Sequence, residues 1–220
     1  MRCAVLRTLL AGALLAGAAS AGAAGDPVFQ VDFSNPGLVP AQWTLEFHPD
    51  GSGHFRTERG QAQGQGVEPA DVDRDIQLSP QFAAHVFEVA ERKSLFRGGC
   101  ESHLKVAFQG TKKLTYSGPA GQGSCEFNYS RDSEIQGLSD SLISVATTLI
   151  EGARLQMLLL HDRLGLDRET ESLVESAADG RAQQIGSIRD ILERLAEDPG
   201  VLERVKRRAR ILLTKADSGA

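Results

Sequence analysis

The hydrophobic period of this chain changes near residue 132, and that change limits how it can fold. Between residues 28 and 129, apolar and polar side chains mostly alternate, which is typical of strands with one buried face. From residue 132 onward, apolar residues recur every three or four positions, which is typical of amphipathic helices. We therefore predict an α+β protein: a small antiparallel β-sheet with one packed helix and one disulfide, followed by an all-helical C-terminal region.

Residues 1–23 have the features of a secretory signal peptide. Arg2 and Arg7 give a basic start, residues 9–19 form a short apolar run, and two small-x-small cleavage sites follow it. No later stretch reaches the ~18 consecutive apolar residues of a membrane span. We expect the mature chain to have no transmembrane segment and to be periplasmic or secreted.

The same patterns divide the chain into four segments. We assign residues 1–23 to the signal peptide, 24–131 to the antiparallel sheet plus one helix, 132–216 to a helical region, and 217–220 to a disordered tail. Whether the helical region packs on the sheet is left open at this point.

The clearest strand pair is a hairpin that contains the single tryptophan. Residues 42–48 alternate, residues 49–53 have the composition of a turn, and the chain then returns as a second strand. If burial sets the register, Phe55 lies opposite Phe47 and His54 lies opposite His48.

One helix, three further short strands and a weaker strand signal within residues 67–78 complete the predicted sheet region. Ser79 can cap a helix that starts at Pro80 and continues to about Lys93. The strands are predicted at 103–108, 113–116 and 125–129, with a hairpin turn at 109–110 between the first two.

The helical region is predicted to contain four amphipathic helices. The first is one long helix, or two collinear ones bent near Gly152. We expect Asp167 to cap the second helix, the third helix to follow Gly180, and the fourth helix to start at Asp198 and Pro199.

Export changes how the cysteines are interpreted. Cys3 would leave with the signal peptide, so Cys100 and Cys125 remain as a pair. In an oxidising compartment such a pair predicts a disulfide. Closing the loop between the two cysteines should stabilise the folded state by about 3 kcal/mol. Two free thiols or a metal site are the alternatives, and neither cysteine belongs to a Cys-x-x-Cys redox motif.

A metal site is the sharpest catalytic hypothesis that the sequence offers. His48 and His54, opposite each other on the solvent side of the hairpin, would give two zinc ligands. A third ligand would have to come from elsewhere, and a solvated polar face is the simpler interpretation.

A basic cluster in the last helix is the strongest local charge signal. Arg204, Arg207 and Arg208 are neighbours on one helical face, which could contact an acidic partner or anionic lipid headgroups. The alternative is a solvated face near a helix C-terminus. The mature chain would carry 22 basic and 29 acidic residues, which argues against nucleic acid as a partner.

The motifs of common enzymes are missing from the sequence. It has no Gly-x-Ser-x-Gly elbow, no His-Glu-x-x-His pair and no phosphate-binding loop. We therefore expect a non-enzymatic binding or interaction module of the cell envelope, without a cofactor. Its expected partner is an unknown envelope or secreted protein, with a homodimer as one option. The alternative is a metal-dependent hydrolase or metal-binding protein that uses His48 and His54.

Overall fold

The computed structural model describes residues 26–62 and 71–217, and within them it confirms the α+β prediction. The predicted signal peptide, residues 1–23, lies outside the described residues, as does Cys3. Six strands in the described part form one antiparallel sheet in the order β4-β3-β2-β1-β5-β6. They are β1 (Val28–Ser34), β2 (Gln42–Phe47), β3 (Ser52–Glu58), β4 (Asp73–Gln77), β5 (Thr111–Gly118) and β6 (Gly121–Phe127).

One face of the sheet is apolar and is covered by helix α1 (Pro80–Arg92). The ring of Phe87 on this helix lies 6.0–6.3 Å from the rings of three aromatic residues on the sheet, in edge-to-face arrangements. These three are Phe29, Phe47 and Tyr116. The opposite face, which we call the open face, is polar, as is usual for an antiparallel sheet with one solvated side.

Helix α1 starts where the sequence predicts. The Ser79 hydroxyl accepts a hydrogen bond of 3.3 Å from the amide of Phe82, and Pro80 occupies the first helical position. The helix ends at Arg92, followed by a short 3-10 helix, Ser94–Phe96.

The β2–β3 hairpin keeps the predicted faces but shifts the register by two residues. Leu45, not Phe47, lies opposite Phe55, and Glu46, not His48, lies opposite His54. The loop is shorter than expected, because the amide of His48 bonds to the carbonyl of Ser52.

The prediction of a strand at residues 103–108 is wrong. These residues are exposed and irregular, and the turn predicted at 109–110 joins no strand pair. The strands predicted at 113–116 and 125–129 correspond to β5 and β6, which a two-residue turn connects at 119–120.

The helical region begins with the long helix α2 (Ser133–His161), which continues through Gly152. A side chain at position 152 would collide with Ile188, so the glycine permits close packing and not a break. The remaining elements are α3 (Gly165–Ala178), a 3-10 helix (Ile185–Ile188), α4 (Arg189–Glu197) and α5 (Glu203–Asp217).

Three boundaries of this region differ from the prediction. Asp167 lies in the first turn of α3 and is not its cap, and α5 starts at Glu203, after a turn at 199–200. Asp217, expected in a disordered tail, ends α5 and forms an ion pair with Arg189; residues 218–220 lie outside the described part.

The helices continue the hydrophobic core of the sheet region. Polar contacts also join the two, since the Ser79 amide donates to the Gln184 side chain at 2.8 Å and Arg74 pairs with Asp190 at 3.1 Å. By length and composition alone α2 could cross a membrane, but half of its apolar window is buried inside the fold. A core helix of this length meets the same criterion.

Candidate functional site

A disulfide fixes the chain just before a stretch of exposed apolar residues. Cys100 and Cys125 are bonded, with their Cα atoms 5.7 Å apart, which confirms the predicted pair. Because Cys125 lies in β6, the bond ties residue 100 to the edge of the sheet. The disulfide is also compatible with an oxidising compartment.

The Glu101 carboxylate is the second attachment. It accepts hydrogen bonds from the amide of Asn128 at 2.7 Å, from the amide of His103 at 3.1 Å and from the hydroxyl of Ser102 at 3.1 Å. The hydrogen bond from the Asn128 amide is the main cause that lowers the pKa of Glu101 below its ordinary value. The carboxylate therefore stays ionised and holds this part of the chain against the end of β6.

The side chain of Asn128 fixes the other end of the stretch. Its Oδ1 accepts from the amide of Gln109 at 2.8 Å, and its Nδ2 donates to the carbonyl of Ala107 at 3.1 Å. An asparagine that satisfies two backbone groups in this way replaces the partners that a neighbouring strand would supply.

A buried lysine holds Asn128 from the inside. Lys112 lies on the apolar face of β5 with Leu114 and Tyr116, is 1% exposed, and donates from Nζ to the carbonyl of Asn128. Its ammonium lies 5.9 Å from the centre of the Phe127 ring. Burial lowers the pKa of Lys112. Sequence reasoning missed this residue, although a lysine at an inward position of an alternating strand was a visible signal.

Between these attachments the chain presents apolar side chains to solvent. We call residues 103–109 the apolar segment. Leu104 is 44% exposed, Val106 39% and Phe108 58%. Their alternation with polar residues is typical of a strand, but it does not reveal that these side chains remain exposed.

The two predicted metal ligands do not face each other. Nδ1 of His48 contacts the carbonyl of Pro27 at 3.2 Å. The ring of His54 is held between Asp73, at 3.0 Å from Nε2, and Asp75, at 2.9 Å from Nδ1. The hydrogen bond to Asp75 is the main cause that raises the pKa of His54. Within residues 26–62 and 71–217, no three His, Cys, Asp or Glu side chains are grouped so that they could hold a metal ion.

Two of the three predicted surface arginines bind within the molecule. Arg204 and Arg208 each lie 2.6 Å from Asp167, and Arg208 also lies 2.7 Å from Glu171. These pairs join α5 to α3. Arg207 is exposed and forms no ion pair with the described residues.

The open face of the sheet carries a shallow depression of about 320 Å³. One row of cross-strand neighbours beneath it runs through Glu126, Lys113, Asp32, Thr44 and Arg56. Asp32 accepts a hydrogen bond of 2.9 Å from the Thr44 hydroxyl. The charges alternate in sign along this row, so the row favours neither anions nor cations.

A pair of carboxyl groups lies between α2 and α3. Burial and hydrogen bonding to Glu169 raise the pKa of Glu151 to about 8, although the guanidinium of Arg154 opposes the change. Arg154 also pairs with Glu169 at 3.3 Å, and its buried Nε has no acceptor among the described residues. The raised pKa favours the neutral form of Glu151, which can donate a hydrogen bond to the Glu169 carboxylate.

No protein-family model matches the chain, and no curated protein is significantly similar to it.

Proposed function

We propose that this chain is an exported, non-enzymatic binding module of the cell envelope, and that the apolar segment contacts a protein or another envelope component. One observation carries the proposal: Leu104, Val106 and Phe108 are exposed on a segment that is fixed at both ends. Contiguous exposed apolar side chains commonly mark interaction sites.

The attachments support binding because they order the segment before a partner arrives. The disulfide, the Glu101 carboxylate and the Asn128 side chain restrict its backbone. Less conformational entropy is then lost on association, so a small contact area can give measurable affinity. Loops held by a rigid scaffold are also frequent binding elements.

Two features support export to the periplasm or secretion. Residues 1–23 carry the basic start, short apolar run and small-residue cleavage sites of a signal peptide. The Cys100–Cys125 bond is of the kind that persists in oxidising compartments.

We do not propose the metal-dependent hydrolase as a second function. Both ring nitrogens of His54 are engaged by aspartates, so a metal would first have to displace one of them.

The proposal is tested by capture from an envelope extract with a matched pair of double variants. Leu104→Ser with Phe108→Ser removes the apolar side chains of the segment, while Leu202→Ser with Ile211→Ser changes similarly exposed residues elsewhere. Components retained by the wild type and by the second variant should fall at least about tenfold with the first.

Both double variants should keep the circular dichroism spectrum of the wild type, because all four side chains are exposed. Identical capture by the wild type and both variants would show that the apolar segment is not the contact surface.

A further inference from the structure

The two edges of the sheet have different surroundings. The β6 edge is covered, since Arg97 donates to the carbonyl of Gln122 at 2.9 Å and a side chain at Gly123 would collide with the carbonyl of Leu95. Among the described residues, no strand and no backbone hydrogen bond covers the opposite edge, which β4 forms. An uncovered edge strand is a template to which another chain can add a strand.

The hydrogen bonds between β3 and β4 show which backbone groups of β4 are already used. The amide of Thr57 donates to the carbonyl of Val72 at 2.9 Å, and the amide of Leu78 donates to the carbonyl of Gly51 at 2.9 Å. In an antiparallel pair, the backbone groups of alternate residues point to opposite edges of the strand. The even-numbered residues of β4 therefore bond to β3.

The odd-numbered residues of β4 point their backbone groups away from the sheet. They are Asp73, Asp75 and Gln77, all exposed on a regular strand, and their amides have no acceptor among the described residues. The carbonyl of Asp75 accepts a long bond of 3.4 Å from the side chain of Arg74. The outer edge of β4 thus presents the donors and acceptors that a further strand would need.

Two depressions beside this edge give an added strand room. One, of about 310 Å³, lies between residues 71–74 and helix α2, where Met157 and Leu160 line it. The other, of about 420 Å³, lies between residues 74–77 and the start of α4. Arg74 lines both depressions, so together they accompany the full length of β4.

Carboxylates alternate along the open-face side of the edge. The side chains of Asp73 and Asp75 are 77% and 97% exposed, and each contacts one ring nitrogen of His54. Arg56 lies opposite Asp73 on β3, so it is one strand further from an added chain. Basic side chains opposite the two aspartates would form cross-strand ion pairs, whereas acidic ones would be repelled.

The other side of an added strand would face the helical region. The cations there are already paired, Arg74 with Asp190 at 3.1 Å and Arg189 with two carboxylates. A residue opposite Val72 would enter the depression that contains Leu160, which is 62% exposed. This position therefore favours an apolar side chain.

We propose that the outer edge of β4 binds an extended segment of a partner protein as a seventh, antiparallel strand, with Lys or Arg opposite Asp73 and Asp75 and an apolar residue opposite Val72. The antiparallel orientation continues the sheet and is the more stable pairing per residue. The inference goes beyond the proposed function, because the apolar segment is attached at the β6 edge and would take a different ligand. A short peptide that makes only this contact binds weakly, with a Kd on the order of 100 μM.

NMR titration of the oxidised protein tests the proposal with an acetylated and amidated heptapeptide, Thr-Thr-Lys-Thr-Lys-Leu-Thr. We expect the amides of Asp73, Asp75 and Gln77 to shift and to exchange with solvent more slowly when the peptide is bound. Replacing both lysines of the peptide by glutamate should weaken binding at least about fivefold. No binding at about 1 mM peptide, or equal binding of the glutamate peptide, would overturn the proposal.

Backbone methylation distinguishes strand addition from attraction between charges alone. N-methyl groups on both lysines of the peptide remove the donors that face β4 and should weaken binding at least about tenfold. An N-methyl group on the threonine between them lies on an amide that points away from β4 and should change binding less than about twofold. Equal affinities of the two methylated peptides would show charge attraction only and refute the added strand.

Two double variants with the same change in net charge locate the site. Asp73→Asn with Asp75→Asn should weaken peptide binding at least about fivefold, and Glu126→Gln with Glu175→Gln should change it less than about twofold. All four side chains are exposed, so both variants should keep the circular dichroism spectrum of the wild type. Equal weakening by the two variants would show that the net charge of the protein attracts the peptide, which would overturn the assignment to β4.

The same peptide also separates this inference from the proposed function. The double serine variant of the apolar segment should bind the peptide as the wild type does. Loss of peptide binding in that variant would contradict a separate site on β4, whereas its failure to change capture from the envelope extract concerns the proposed function alone.

Discussion

The carboxyl pair between α2 and α3 leads to a sharp prediction about stability and pH. Replacing Glu151 by glutamine keeps a hydrogen-bond donor for Glu169 but removes the ionisable group. The two proteins should therefore be equally stable in acid, where Glu151 is protonated in both the folded and the unfolded states. At neutral pH the glutamine variant should be the more stable protein.

The magnitude follows from the two pKa values of this carboxyl. Its pKa is about 8 in the fold and near the ordinary 4.5 in the unfolded chain. Between these values the unfolded state releases a proton that the folded state keeps, so the free energy of unfolding falls by about 1.4 kcal/mol per pH unit. Relative to Glu151→Gln, the wild type should lose about 3 kcal/mol between pH 5.5 and 7.5 and little more above pH 8.

Urea denaturation at a series of pH values measures this difference. Circular dichroism at 222 nm reports the helical region, and the fluorescence of Trp43 reports the sheet. Glu175→Gln, which changes an exposed carboxylate on α3, is the control and should give a curve parallel to that of the wild type. If the wild-type and Glu151→Gln curves are also parallel from pH 5 to 8, the shared proton does not exist.

Three further predictions concern the contacts that hold the fold together. Replacing Cys100 and Cys125 by serine should lower the free energy of unfolding by about 3 kcal/mol in chemical denaturation, and an unchanged midpoint would contradict this. Arg208→Ala should lower Tm by about 3 °C because it breaks two ion pairs to α3, whereas exposed Arg207→Ala should change Tm by less than about 1 °C. The stabilisation by His54 is present below about pH 6.5 and lost as pH rises through its raised pKa, so His54→Gln should be slightly less stable than wild type at pH 5 and equal to it at pH 9. An equal loss of Tm in the two arginine variants would refute the role of the Arg208 ion pairs. A stability difference between His54→Gln and the wild type that grows with pH would refute the role of His54.

Features determined by neighbouring residues could be predicted from the sequence. The start of α1 is signalled by the adjacent residues Ser79 and Pro80, and the structure has it at the predicted position. The disulfide was also predictable, because the expected loss of Cys3 with the predicted signal peptide leaves one possible pair.

The hairpin register shows how a local detail can outweigh a correct pattern. Two registers that differ by two residues bury the same face of each strand. The alternation of apolar and polar residues therefore could not distinguish the predicted register from the observed one. Gly51, with φ +84°, adopts the left-handed conformation that closes a three-residue loop, and Asp50 accepts from the amide of Ser52 at 2.9 Å. This turn selects the pairing of Glu46 with His54.

The error at residues 103–108 has a different cause. Alternation indicates that a segment can form a strand, but a strand also needs a free neighbouring edge. Here the expected hairpin partner, β5, already has β1 and β6 on its two edges, and Asn128 occupies two of the segment's backbone groups. These contacts are distant in sequence, so the pattern could not reveal that the apolar side chains would remain exposed.

Photo-cross-linking in living cells tests the central claim most directly. A photoreactive residue is placed either at Phe108, in the apolar segment, or at Ile211, which is similarly exposed on α5. We predict that adducts form from position 108 in the exported fraction, that they contain the chain without residues 1–23, and that position 211 gives few or none. Equal adducts from both positions, or adducts only with the uncleaved chain, would contradict an exported module that binds through residues 103–109.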